Sequence, residues 1–228
     1  EDNFGNRRTY QFIVKGKRQD IPEYKPEANE MLYWNRANVI QKPGMELVVP
    51  RYYVYENVPL RTDMRGDSSR IAFDYILDAG RTPIHSYCDL SIGLRHMPVA
   101  DTTKYYIVQK AGKWRSSMGG KYANGWIKTR VRSLGTFSVD VDTIAPQITP
   151  IGQGGWRTSR NIRFRIKDME SGIGSYKVYI DGKFVLFGLK KGILVIQDPE
   201  KVKKGVPHKL EVTVTDQCGN MTRKEYKF

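Results

Sequence analysis

Apolar and polar side chains alternate with a period of two along most of this chain, the spacing of half-buried strands. Ile162, Phe164 and Ile166 share one face, while Arg163, Arg165 and Lys167 share the other. Tyr176, Val178 and Ile180 then alternate with Lys177 and Tyr179, and Asp181-Gly182 supplies the two positive-φ positions of a type I′ hairpin turn before Phe184 and Leu186. Residues 168–174, with two glycines, read as a loop. Further on, Ile193–Ile196 is a strand, residues 201–205 a charged turn, and Leu210, Val212 and Val214 the buried side of another strand. About seven strands in this short unit suit an immunoglobulin-like sandwich.

Upstream, Met45–Val49 and residues 52–58, 70–77, 87–94, 104–110 and 126–141 are candidate strands. Pro43-Gly44, Pro59, Arg65-Gly66-Asp67, Gly80, Pro98 and Gly119-Gly120 punctuate them, and Ala111-Gly112-Lys113 reads as a hairpin turn into Trp114. No 3.6-residue apolar stripe is long enough for a helix, so this unit also predicts a sandwich. Pro146 and Pro150 stiffen the connector after Asp142-Thr143-Ile144-Ala145. Near the start, Asp2-x-x-Gly5-Asn6 precedes an alternation of Tyr10, Phe12 and Val14, and Asp216-x-x-Gly219-Asn220 repeats that pattern before Tyr226 and Phe228. The repeat suggests one kind of module ending twice. The expected fold is therefore all-β. Residues 1–25 hold the last strand of a preceding immunoglobulin-like module and a linker with Pro22, residues 26–142 a middle β-sandwich, and residues 143–228 an immunoglobulin-like β-sandwich.

Composition adds a strong charge. Thirty-eight basic against twenty-four acidic side chains give +14, which favours anionic partners. The basic residues are spread over most strands, so no single groove stands out. No apolar run approaches the roughly 20 residues of a membrane-spanning helix. The start at Glu1, without methionine, reads as a mature form or an excised piece. Cys88 and Cys218 lie far apart in sequence and predict no bridge.

Several groups invite a chemical reading. Asp168, Glu170 and Asp181 are candidate calcium ligands, although fewer than six oxygens are evident and ordinary loop capping is the favoured reading. Trp114, Tyr122 and Trp126 with Lys113, Arg115, Lys128 and Arg130 are a candidate glycan-binding surface, against the alternative of cross-strand packing. Arg65-Gly66-Asp67 reads as a turn. His85 and Asp89 have the outer spacing of a His-x-Gly-x-Asp zinc motif without its glycine, and His96 and His208 stand singly. No catalytic residue and no metal site is assigned, since zinc needs three convergent ligands.

Leu134-Gly135-Thr136-Phe137, Asp142-Thr143-Ile144-Ala145-Pro146, Ser171-Gly172-Ile173, Tyr176, Ile180-Asp181-Gly182-Lys183, His208-Lys209-Leu210 and Asp216-x-x-Gly219-Asn220 follow one another in a familiar order. In that order they resemble the C-terminal region of exported lysostaphin-type (LytM-like) zinc metallopeptidases of Gram-negative bacteria. The resemblance covers nearly the whole chain and is densest from about residue 133. It implies a non-catalytic accessory tail with no cofactor of its own, zinc being held only by a separate peptidase domain. It further implies an exported, periplasmic or outer-membrane-associated location. The implied partners are peptidoglycan or another anionic envelope glycan and the peptidase domain itself, with no nucleic acid. The competing expectations are a stand-alone adhesion or glycan-binding protein and a passive spacer.

Overall fold

A computed structural model describes residues 4–13, 15–16, 27–67 and 69–228, and these are nearly all strand and turn. The first sandwich is built from β1 (Glu30–Leu32), β2 (Asn38–Lys42), β3 (Met45–Val49), β4 (Val58–Arg65), β5 (Asp74–Asp78) and β6 (Cys88–Gly93). It continues with β7 (Tyr105–Ala111), β8 (Trp114–Ser117), β9 (Lys121–Ala123), β10 (Trp126–Val131) and β11 (Gly135–Val141). Six of these form one sheet in the order β1-β4-β5-β11-β7-β8, and five form the facing sheet, β2-β3-β6-β10-β9. Leu32, Leu47, Leu60, Leu77, Leu90, Ile107, Ile127 and Phe137 fill the space between them.

The second sandwich has β12 (Gln147–Ile151), a single helical turn α1 (Trp156–Ser159), β13 (Arg163–Lys167), β14 (Ile173–Ile180) and β15 (Lys183–Phe184). Then come β16 (Phe187–Lys190), β17 (Ile193–Ile196), β18 (Lys209–Asp216) and β19 (Met221–Lys227). Its sheets, β12-β13-β17-β16 and β15-β14-β18-β19, carry the two-sheet strand arrangement of an immunoglobulin-like sandwich. The alternation read from sequence is the one observed. Phe164 and Ile166 are buried while Arg163, Arg165 and Lys167 are exposed, and Asp181 and Gly182 have φ of 50° and 74°.

Trp156 anchors this core. Its indole N–H donates to the Ile151 carbonyl at 2.9 Å, and its ring meets Phe164, Tyr226 and Phe228 with centroids 5.0–5.9 Å away. The helical turn that carries it ends at Arg160, whose φ is +58°. Four residues are too few to leave a 3.6-residue stripe, so this element left no periodic signal.

Four sequence expectations need correction. Residues 52–57 form turns and bends, because the chain reverses after Pro50 with Tyr52 at φ +67° and its N–H bonded to the Trp34 carbonyl. Pro59 interrupts nothing: it lies in β4 opposite Met31 of β1, before β5 begins to pair at Arg61, so its missing N–H breaks no ladder to β5. Residues 126–141 are two strands in two different sheets, β10 and β11, parted by a bend at Arg132-Ser133. At the amino end, residues 8–13 form no strand, and Tyr10, Phe12 and Ile13 are exposed. Asp2, Val14 and the proline-bearing linker lie outside the described residues.

Trp156→Ala is expected to destabilise the second sandwich by about 3–5 kcal/mol, read as a lower urea midpoint at unchanged slope.

Candidate functional site

β11 delivers Asp142 to the joint between the sandwiches, where its side chain is fully buried. Its backbone N–H donates to the Lys104 carbonyl at 2.9 Å. One carboxylate oxygen accepts from the Ile144 N–H at 2.9 Å. The other accepts from the Ser171 N–H at 3.0 Å and the Ser171 hydroxyl at 2.6 Å. A residue at the end of the first sandwich thus caps a loop of the second.

The turn after β18 meets the same point. Asp216 Oδ1 accepts from the N–H groups of Cys218 and Asn220, both at 2.8 Å, while Gly219 takes φ +80°. The Asn220 amide donates to Asp216 Oδ2 at 2.8 Å and to the Asp142 carbonyl at 3.0 Å. Asp168 accepts from the N–H groups of Glu170 and Gly172 at 3.1 and 2.6 Å. Asp142, Asp168 and Asp216 therefore converge, each offering a carboxylate oxygen within 4.8 Å of the others.

Around this triad the two sandwiches interlock. The Lys104 ammonium donates to the Cys218 carbonyl at 3.0 Å, the Tyr106 hydroxyl to Glu170 at 3.3 Å, and the Ser117 hydroxyl to Gln217 at 3.1 Å. Tyr106, Val108 and Cys218 form a small buried cluster of their own. Burial pushes the Cys218 thiol up to about 11, so it stays protonated and unreactive at neutral pH. A cleft of about 610 Å³ opens beside the joint, lined in part by Thr103, Lys104, Lys121, Tyr122 and Gln217.

Burial also raises the Asp216 pKa, and the neighbouring Asp142 charge adds to it. Its folded pKa stands above 3.8, so ionising it in place opposes folding increasingly as pH rises through that interval. The repulsion can be relieved by a proton or by a hard cation. Calcium takes about 6–8 oxygens, whereas the triad supplies three carboxylates whose lone pairs already accept backbone N–H groups. The arrangement fits a structural clasp better than a finished metal site.

The predicted calcium set is corrected by this geometry. Asp168 sits in the triad, but Asp181 lies beyond the far end of β14, about 26 Å away for eight strand residues. Glu170 instead accepts from Tyr106. Asp181 joins His208: its Oδ2 lies 2.6 Å from Nδ1, its Oδ1 accepts from the Lys209 N–H at 2.9 Å, and His208 Nε2 lies 2.7 Å from the Lys203 carbonyl. Both ring nitrogens face acceptors, which only the doubly protonated imidazolium satisfies. Burial works to lower the His208 pKa, but the Lys203 carbonyl and Asp181 carboxylate outweigh it, and the net shift is upward from 6.5. His85 contacts Tyr55 at 3.0 Å.

The predicted glycan surface is divided. Trp126, Lys128 and Arg130 share the outer face of the five-stranded sheet, with Lys121 opposite Lys128 and Arg130 over the Tyr87 ring at 5.7 Å. Tyr122 pairs with the buried Ile127 and so points the other way, towards the cleft at the joint. Arg115 lies in the other sheet, paired with Asp140. Lys113 and Trp114 occupy the tip of the β7–β8 hairpin, where Trp114 is 81% exposed. Strand parity, invisible without the register, separates residues that are near in sequence. Asp142 and Asp216 were legible only as a boundary and a turn.

The family model of the Zu5-like domain matches residues 29–142, half of the chain, and the chain belongs to that family. The match spans the first sandwich and ends at the buried Asp142. A comparison with curated proteins returned no match.

Two outcomes test these contacts. Asp142→Ala strands the Ser171 and Ile144 donors and is expected to cost about 3 kcal/mol, with the sandwiches then melting in two calorimetric transitions. The His208 contribution is complete below pH 6.5 and is lost as pH rises through its raised folded pKa; that of Asp181, whose pKa is lowered chiefly by the Lys209 N–H, is lost as pH falls below 3.8. Urea midpoints measured from pH 6 to 8 are expected to fall for the wild type and to stay flatter for Asp181→Asn.

Proposed function

We propose that this Zu5-like family member is the non-catalytic tail of a cell-envelope peptidoglycan endopeptidase of the lysostaphin type. In this reading it is exported to the periplasm or the outer-membrane side of the envelope. It holds a zinc peptidase domain, which carries the metal and the chemistry, against peptidoglycan or an envelope partner. The supporting observation is the joint. Positioning an enzyme needs an arm whose parts keep a constant angle, and Asp142, Ser171, Lys104, Cys218 and Asn220 tie one sandwich to the next by hydrogen bonds. A passive spacer has no use for such a clasp.

The outer face bearing Trp126, Lys121, Lys128 and Arg130 favours glycan contact by this tail, since an indole beside cations suits a sugar ring carrying carboxylates. That face also serves the second reading, a stand-alone glycan-binding protein. The coding sequence upstream separates the two: a His-x-Gly-x-Asp segment and a His-x-His pair are expected there, and their absence removes the peptidase.

Retention of the chain on purified peptidoglycan is expected to survive moderate salt, and Trp126→Ala is expected to weaken it about tenfold. Retention lost at once with salt is bulk charge, and none at either salt leaves only the spacer.

A further inference from the structure

The two sheets of the second sandwich treat their outward charges differently. On the β15-β14-β18-β19 sheet, two of the cations stand beside acids: Lys209 bridges Glu225 at 3.0 Å and Arg223 pairs with Glu211. On the β12-β13-β17-β16 sheet they do not. β13 presents Arg163, Arg165 and Lys167 outward, all exposed. Register places Ile151, Thr149 and Gln147 beside them on one side, and Val195 and Ile193 on the other. One strand further, Lys190 lies opposite Ile193 and Gly188 opposite Val195. No acidic side chain occupies any of these positions, and among the described residues none of the four cations has an ion-pair partner. The acids at the margins are engaged elsewhere, Asp168 by the N–H groups of Glu170 and Gly172, and Asp198 by Lys201 at 2.6 Å.

Such an array gives the fold nothing. Like charges stand about 7 Å apart along β13 and repel one another, and the core beneath is complete without them. Their spacing describes a plane. The β13 row is about 14 Å long and Lys190 lies two strands, about 10 Å, to the side. Half-buried Ile151, Ile193 and Val195 fill the gaps, so the face has neither a groove to hold a single polymer strand nor an aromatic ring on which a base or sugar could stack. A linear polyanion would meet only the β13 row, whereas a plane of phosphates meets every cation. Arginine forks suit phosphate oxygens, and the aliphatic parts of lysine and arginine lie readily on an apolar boundary.

We propose that the outer face of the β12-β13-β17-β16 sheet docks on a bilayer surface carrying anionic phospholipid. No helix among the described residues is long and apolar enough to cross a membrane, and this contact is peripheral. It lies on the opposite sandwich from the glycan-facing strands discussed above, so the two stand or fall separately.

Co-sedimentation of the full chain with vesicles of phosphatidylcholine and phosphatidylglycerol tests it, against pure phosphatidylcholine. Each basic side chain at an anionic surface accounts for about fivefold in binding. The triple variant Arg163→Gln, Arg165→Gln, Lys167→Gln is therefore expected to lose about a hundredfold. A control of equal charge change on the first sandwich, Lys121→Gln, Lys128→Gln, Arg130→Gln, is expected to lose no more than about fivefold. Should the triple variant fail to fold, Arg165→Gln alone is expected to lose about fivefold. Equal loss in both triple variants, equal binding to neutral vesicles, or no binding to anionic ones overturns the proposal. Tighter binding to single-stranded DNA or dextran sulfate than to vesicles also overturns it, in favour of a linear polyanion.

Discussion

The Asp142 carboxylate, fully buried and accepting from the Ser171 N–H, the Ser171 hydroxyl and the Ile144 N–H, is the contact through which the two halves of this protein become one object. A buried carboxylate must be hydrogen-bonded, and here its donors come from the neighbouring sandwich and from the connector itself. The angle between the sandwiches is therefore set by the same groups that keep the charge satisfied. Asn220 ties the β18–β19 turn to the same residue, and the Tyr106, Val108 and Cys218 cluster excludes water beside it.

Stiffness of this kind gives surface patches a meaning they would lack on a jointed chain. The β12-β13-β17-β16 sheet of the second sandwich offers cations without matching acids, whereas Asp89 lies opposite Arg130 on the five-stranded sheet of the first, and on the β18–β19 hairpin Lys209 and Arg223 are paired with Glu225 and Glu211. The net charge of +14 is thus not spread evenly in effect. Paired cations are silent to a distant anion, and unpaired ones on a flat sheet act together. An arm that meets two envelope components with two faces is a physical version of the positioning role proposed for it.

Much of the fold could be read before any coordinates. The alternation in β13, β14 and β18, the Asp181-Gly182 turn and the Asp216-Gly219-Asn220 turn all appear where the side-chain pattern demands them. Failures arose where one local signal admitted two outcomes. The tyrosines at 52, 53 and 55 have strand propensity, yet a positive φ at Tyr52 turns them into a loop packed on Trp34 and His85. The run 126–141 looked continuous because a strand that changes sheet keeps its alternation.

The candidate sites were less legible than the strands. Chain order and local period dictate which side chains share a face within one strand, because a pleat has period two regardless of its surroundings. They dictate the loop roles of Asp168 and Asp216 for the same reason, since a side chain capping its own turn needs no distant partner. Meeting across strands is another matter. That Asp168 joins Asp142 and Asp216 instead of Asp181, that Trp126 and Tyr122 face apart, and that the Arg163 row has no acid beside it follow from register and sheet order. Those depend on how two cores pack against one another, a property of the folded whole that no window of neighbouring residues contains.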